Sequence, residues 1–231
     1  MPDLATAFDG LGFFYGSRDM LDPERSAARC ASFGASWACP LIESVDGRVQ
    51  TRARFARAVE TLRALDVRPI PYTFPTASRA ELGGKLAADY CAGVGAGACV
   101  LDVEPFEGDD WTQARLDGAA QALERSDIAV AWTAFYRSRW RSLRFPPGPM
   151  LLQAYERVRD LEDLDDAIKL FGPGRETIVC IGSHKDATPA TVRADVANAQ
   201  TRSPKSIGVW ALATTSTAEG AELKRWAVAR R

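Results

Sequence analysis

Eight short apolar runs, each followed by a stretch of different spacing, divide the chain at nearly even intervals. They are LGFFYG (11–16), WACPLIE (37–43), RPIPYTF (68–74), ACVLDVE (98–104), IAVAWTAFY (128–136), MLLQAYE (150–156), TIVCIG (177–182) and SIGVWAL (206–212). Strands apolar on both faces and separated by helices belong to parallel sheets, since the crossover helices cover the outer face. Eight such units specify an α/β chain folded as a (β/α)8 TIM-type barrel, a single domain over residues 1–231, on the lean side of the usual length of about 250. A doubly wound open sheet is the alternative. It would carry a Gly-rich phosphate turn after its first strand, where FFYGSRDM offers only Gly16.

The intervening segments carry helix-start chemistry, because the first N–H groups of a helix need side-chain acceptors. Asp22 precedes Pro23, Thr188 precedes Pro189, and Ser78 with Glu81 has capping-box spacing. Buried stripes are expected at Phe55, Val59 and Leu62; Leu82, Leu86 and Tyr90; Leu116, Ala120 and Leu123; Val192 and Val196; and Leu223 and Trp226. The fifth connection, RSRWRSLRFPPGP, has the weakest helical pattern and reads mostly as loop.

Charge and cysteine content narrow the partners. With 29 basic against 30 acidic residues the chain lacks the cationic surface that nucleic acid requires. No run approaches the roughly 20 apolar residues that cross a bilayer, and no basic-then-apolar leader opens the chain. The expectation is a protein without a membrane or nucleic-acid partner, cytoplasmic or released by a phage or a lysing host. Cys30, Cys39, Cys91, Cys99 and Cys180 form no CxxC pair, and the single His184 excludes a site built from several histidines. No cofactor or metal is expected; the acidic loop EPFEGDDW matches no cation-binding spacing, and Asp110 reads as the cap of a helix starting near Trp111.

Active sites of parallel barrels stand at the C-terminal ends of the strands. Those ends supply Tyr15, Glu43, Tyr72, Phe74, Asp102, Glu104, Trp132, Tyr136, Gln153, Tyr155, Glu156, His184 and Trp210. Asp102 and Glu104 are two apart on one strand and share a face, which must be the barrel interior because Leu101 and Val103 are needed against the helices. A buried Asp beneath a rim Glu is expected to raise the Glu pKa by like-charge repulsion and so make it a proton donor near neutral pH.

LDVE at the end of the fourth strand resembles the DxE of retaining glycoside hydrolases acting on N-acetylated glycans, found in the family 25 lysozymes (muramidases) and the family 18 chitinases. PIPYTFP is similar to the third strand of the lysozymes, IAVAWTAFYRSRW to their fifth and LLQAYE to their sixth. Gln153-x-Tyr155 also resembles the Gln-x-Tyr of the chitinases, and GVWAL the last strand, whose Trp floors a sugar subsite. The likeness departs in three places: no carboxylate on strand one, none at the end of strand eight, and no full DxxDxDxE. It implies Glu104 as general acid and base, and Asp102 as the group that orients Glu104 or the substrate's acetamido group. Tyr155 and Gln153 would bind that acetamido group, and Trp210, Trp132, Tyr136 and Tyr72 would line the glycan site. Glu43 and Glu156 are secondary carboxylates on the same reading.

Two other functions fit the same residues. A sugar-binding or scaffolding barrel without activity would explain the missing carboxylates. A phosphosugar enzyme would use the loops after strands seven and eight, with His184, Ser183, Lys185, Thr214 and Thr215.

Overall fold

In a computed structural model of the chain, residues 4–104, 109–135, 143–171, 175–183 and 187–230 are described. All the strands run parallel in one sheet: β1 (Gly10–Phe14), β2 (Trp37–Cys39), β3 (Arg68–Pro69), β4 (Tyr72–Thr73), β5 (Ala98–Val103), β6 (Ala129–Phe135), β7 (Met150–Gln153), β8 (Thr177–Gly182) and β9 (Ser206–Trp210). The ladder runs β3-β2-β1-β9-β8-β7-β6-β5-β4, and its two ends are halves of one chain segment. The Ile70 N–H donates to Ala38 O at 2.8 Å, and the Val100 N–H donates to Pro71 O at 2.8 Å, so residues 68–73 bridge β2 to β5 and the ring closes. Proline explains the split. Pro69 and Pro71 fall on the side facing β5, where neither has an N–H to give, while Ile70 and Tyr72 keep their donors for β2. The expected eight-stranded barrel is therefore observed, with DxE at the end of β5.

Seven α-helices cover the barrel among the described residues: α1 (Pro23–Ser32), α2 (Arg52–Ala64), α3 (Ala80–Val94), α4 (Gln113–Glu124), α5 (Leu161–Phe171), α6 (Pro189–Gln200) and α7 (Thr217–Val228). Asp22 caps α1 and Thr188 closes a capping box on α6. Two expected caps are corrected. Ser78 does not cap α3, whose N-cap is Arg79 with no side-chain bond, and α4 starts from Thr112, whose hydroxyl accepts the Arg115 N–H. The α3 stripe is corrected at Leu82, which is exposed; Tyr90 is buried and Leu86 partly buried as expected, and the buried face is completed by Ala80, Gly83, Gly84, Ala87, Ala88 and Cys91. Small residues are needed there: a Cβ on Gly84 would stand 2.5 Å from Ala119 O of α4. Of the fifth connection, residues 143–149 contain no helix and 136–142 lie outside the described residues.

The lower barrel interior is filled by one indole. Trp37 is fully buried and meets Phe8 and Phe14 edge-on, at centroid distances of 5.2 and 6.1 Å. Phe8 ends the 3-10 turn Ala5–Phe8, which precedes β1 and so closes the N-terminal end of the barrel. Room for the indole comes from Gly12, on the neighbouring strand, where a Cβ would lie 1.9 Å from the ring. Gly208 makes similar room for Cys180 Sγ, 2.4 Å from its would-be Cβ.

Gly12→Ala is expected to cost about 3 kcal/mol or more through overpacking and to lower the melting temperature by about 6–10 °C. Gly97→Ala, where a Cβ meets nothing within 4 Å, should stay within about 0.5 kcal/mol. Equal melting temperatures for the two variants would contradict the packing described.

Candidate active site

The strand period sets which side chains reach the interior, and the hydrogen bonds show that it selects Asp102. Asp102 is fully buried; its Oδ2 accepts the Tyr72 hydroxyl at 3.1 Å and its Oδ1 accepts Gln153 Nε2 at 2.9 Å. The same Nε2 donates to Thr133 Oγ1 at 3.1 Å, and the Tyr155 hydroxyl donates to Gln153 Oε1 at 2.7 Å. Side chains from β4, β5, β6 and β7 thus converge on one carboxyl group inside the barrel. Glu104, two residues farther up the same row, is partly exposed, and its carbonyl accepts Trp111 Nε1 at 3.0 Å. Tyr155 follows β7 with φ of +43°, a left-handed conformation that costs a tyrosine on the order of 1 kcal/mol. It is held there by the hydroxyl bond to Gln153.

Burial pushes the Asp102 carboxyl well above the usual carboxylate range, and the Glu104 charge adds to the rise. The bonds from Tyr72 and Gln153 oppose it. The phenols of Tyr72 and Tyr155 are also raised, chiefly by burial and then by the charges of Asp102 and Glu104, so both keep their protons. The inner Asp102 is therefore an acid displaced toward its protonated form. Desolvation is the reason: the inner group loses its water entirely, and that outweighs repulsion between the two carboxylates.

An aromatic surface borders this network. Trp210, at the end of β9, is partly exposed and packs 5.3 Å from Phe14 and 5.8 Å from Tyr72; Phe74 lies 6.4 Å from Tyr72 and is also partly exposed.

Other expected site residues go elsewhere. Trp132 is corrected: its neighbour Thr133 points inward, so alternation turns the indole outward, where it is fully buried and edge-on to Phe145 at 5.5 Å. Glu43 is fully buried and pairs with Arg79, whose Nε and Nη2 reach Oε1 at 2.9 and 2.6 Å; its Oε2 faces Gly83 of α3. It serves that ion pair. Gln153 is brought to the site but both its amide hydrogens and its carbonyl have partners, so it is not a free donor toward a ligand. Tyr136, His184 and Lys185 lie outside the described residues, as does the side chain of Glu156.

The loops after β8 and β9 spend their polar groups on the protein. Ser183 donates to Glu219 Oε2 at 3.2 Å, Thr214 to Ser183 O, and Thr215 to Ala211 O at 3.0 Å. A buried carboxylate beside Ser183 disfavours a phosphate there.

Three residues were missed in the sequence. Thr133 had no signal beyond its place two residues before Phe135 in an apolar run. Trp111 follows two aspartates and reads as the start of a helix, yet it anchors the Glu104 backbone. Asp19, buried below the first loop, accepts the N–H groups of Gly16 at 2.9 Å and Ala213 at 3.2 Å through Oδ2. It ties the loop after β1 to the loop that follows Trp210, and Arg29 strengthens the tie by donating to Thr215 O.

No protein-family model matches the chain, and no curated protein matches it. Solved structures do. The catalytic domain of a hyperthermophilic chitinase from Pyrococcus furiosus superposes with a TM-score of 0.67 at 12% identity, covering 96% of this chain and 94% of that one. A GH113 β-1,4-mannanase gives 0.66 at 9% identity, covering 96% and 99%. A sugar phosphate isomerase/epimerase from Parabacteroides distasonis gives 0.58 at 12% identity, covering 96% and 95%. These likenesses establish the fold: a barrel of the kind found in glycoside hydrolases and also in sugar phosphate epimerases.

Asp19 makes a pH prediction. Burial raises its pKa to about 6, against the pull of the Gly16 and Ala213 amides and of Arg29. The folded value exceeds the unfolded one, so the native state binds the proton more tightly and loses stability as pH rises from about 4 through about 6. At about 1.4 kcal/mol per unit this amounts to about 3 kcal/mol. Asp19→Asn removes the term, so its melting temperature relative to wild type should climb by about 6 °C or more between pH 4 and pH 7. An offset that does not change with pH would contradict it.

Proposed function

We propose that the chain is a glycoside hydrolase acting on an N-acetylated glycan such as chitin or peptidoglycan. The observation that carries the reading is the Asp102-x-Glu104 row inside the barrel, with the buried Asp102 held by Tyr72 and Gln153 and Glu104 more exposed above it. Chitinase and mannanase barrels among the structural neighbours support it. On this reading Glu104 protonates a glycosidic oxygen and then activates water. Asp102, displaced toward its protonated form, orients Glu104 or an acetamido group whose carbonyl oxygen attacks the sugar carbon; such substrate assistance replaces the protein nucleophile. It would account for the absence of a carboxylate on β1, since the nucleophile then comes with the substrate. Tyr155 faces the same charges and closes the far side of the network. Trp210 and Phe74 offer flat apolar faces to sugar rings.

The decisive test is a reducing-sugar and turbidity screen over chitin, peptidoglycan and β-mannan, with wild type beside Glu104→Gln. The variant should lose about 10²- to 10⁴-fold in turnover while its glycan affinity stays close to wild type. Wild-type protein that neither cleaves nor binds any of these polymers ends the glycosidase reading. Binding without cleavage would leave the inactive carbohydrate-binding barrel.

The aromatics supply an independent check. Trp210→Ala should weaken glycan binding about 5- to 30-fold, the worth of about 1–2 kcal/mol of stacking. Trp132→Leu should do the reverse, lowering the melting temperature and leaving affinity unchanged.

A further inference from the structure

The alternation that turns Asp102 inward also fixes what lies at the foot of the same strands. Counting down in twos gives Val100 and Ala98 below Asp102 on β5, and Ala131 and Ala129 below Thr133 on β6, with Ala98 and Ala129 in register. Val100 and Ala131 are fully buried, whereas Ala98 and Ala129 are only partly so. Two alanines leave the lowest layer unfilled on this side, while Trp37 and Phe8 fill it on the side of β1 and β2. Beside the turn that carries Phe8 there remains a cavity of about 380 Å³, bounded also by Leu4, Ala7 and Ile70. That volume falls at the low end of the range for small-molecule sites, and its wall is mostly apolar. Gly97 lines it too, and a Cβ there would meet nothing within 4 Å.

The charge at this cavity has one sign. Its only charged lining residues are Arg63, in the last turn of α2, and Arg68, at the start of β3, and both are exposed. Neither has a carboxylate partner among the described residues. Arg63 Nη2 donates to Val94 O of α3 at 2.8 Å, and Arg68 Nη1 donates to Thr6 O at 3.0 Å and Ala7 O at 2.6 Å. A guanidinium has five N–H groups, so each arginine keeps donors after these bonds. The bonds cover carbonyl oxygens that would repel an anion, and they hold each fork in place, which lowers the entropy lost when a ligand is bound. The aliphatic stems of the two arginines extend the apolar wall toward their charged heads. An apolar wall with two cations and no acid calls for a ligand apolar along its length and anionic at one end.

We propose that this cavity at the N-terminal end of the barrel binds a small alkyl carboxylate, its chain against Ile70, Ala98 and Ala129 and its carboxylate on Arg63 and Arg68. Arginine forks match a carboxylate through paired N–H···O bonds, and the alkyl chain covers apolar surface that otherwise faces water. The site stands at the opposite end of the barrel from Glu104, with the fully buried Val100 between Ala98 and Asp102 on the shared row. It is therefore independent of the glycosidase reading.

Calorimetric titration of the full chain with octanoate, hexanoate and octanol tests the assignment without any glycan, and methyl NMR of Ile70, Ala98 and Ala129 locates the binding. Octanoate should bind and move those methyl signals. Hexanoate should bind about 10- to 15-fold more weakly, the worth of two methylenes. Octanol should also bind more weakly than octanoate. Arg63→Gln should weaken octanoate about 2- to 5-fold and leave octanol unchanged, as expected for an exposed ion pair. Ala129→Leu, which fills the cavity, should weaken both ligands at least about 10-fold. Should that variant fail to fold, Ala98→Leu decides by the same criterion. No octanoate binding at millimolar concentration overturns the proposal, as does equal affinity for octanol and octanoate, or unchanged affinity in a folded cavity-filling variant. Sedimentation supplies the remaining outcome: a wild-type dimer that Ala129→Leu dissociates would give the cavity to a second copy of the chain and overturn the carboxylate assignment.

Discussion

The structure turns on one carboxyl group taken out of water. Leaving a carboxylate in an apolar interior costs several kcal/mol unless it is hydrogen-bonded or protonated. Asp102 meets both conditions: it accepts two hydrogen bonds, and its affinity for a proton is raised. Those two bonds come from opposite sides of β5, Tyr72 from β4 and Gln153 from β7 across Thr133 of β6. The group therefore also fixes the relative register of four strands at the upper layer of the barrel. Below it the interior is sealed by apolar packing, with Trp37 in the space left by Gly12, so the polar layer can open only toward the mouth.

Position along one strand then separates two chemically similar residues. Asp102 and Glu104 differ by one layer, yet Asp102 is without solvent and Glu104 is partly exposed. Solvation, more than mutual repulsion, raises the proton affinity of Asp102, because burial is the largest contribution to the rise and the Glu104 charge comes second. The inner group is thereby displaced toward its protonated form, with Tyr72 and Tyr155 remaining protonated beside it.

What could be read in the sequence follows the same physics. Strand positions were legible because a parallel barrel buries both faces of each strand, and the apolar runs are then unbroken. The inward placement of Asp102 followed from period two. Trp132 failed by the same rule: the polar residue beside it, Thr133, occupies the inward position, but a threonine in an apolar run carries little signal beside a tryptophan. Glu43 failed because its partner Arg79 lies 36 residues away in sequence and the pairing exists only once α3 packs. The α3 stripe was misread since Leu82 has the right spacing, whereas the actual contact with α4 demands residues as small as Gly84, and close approach of two backbones leaves no hydrophobic pattern to detect.

Asp19 shows how the upper rim gains rigidity without a carboxylate at the ends of β1 and β9. Here strand one ends in Phe14 and Tyr15, and the nearest acid lies beneath the loop, accepting backbone hydrogens from both neighbouring loops. Since Oδ2 takes both amides, the loop after β9 has its position set relative to β1 by a single oxygen atom. Trp210 starts that loop and packs tilted against Phe14 of β1, so the carboxylate and the ring contact constrain the same junction. A buried acid beneath the first loop thus holds the Trp210 junction in place without standing at a strand end.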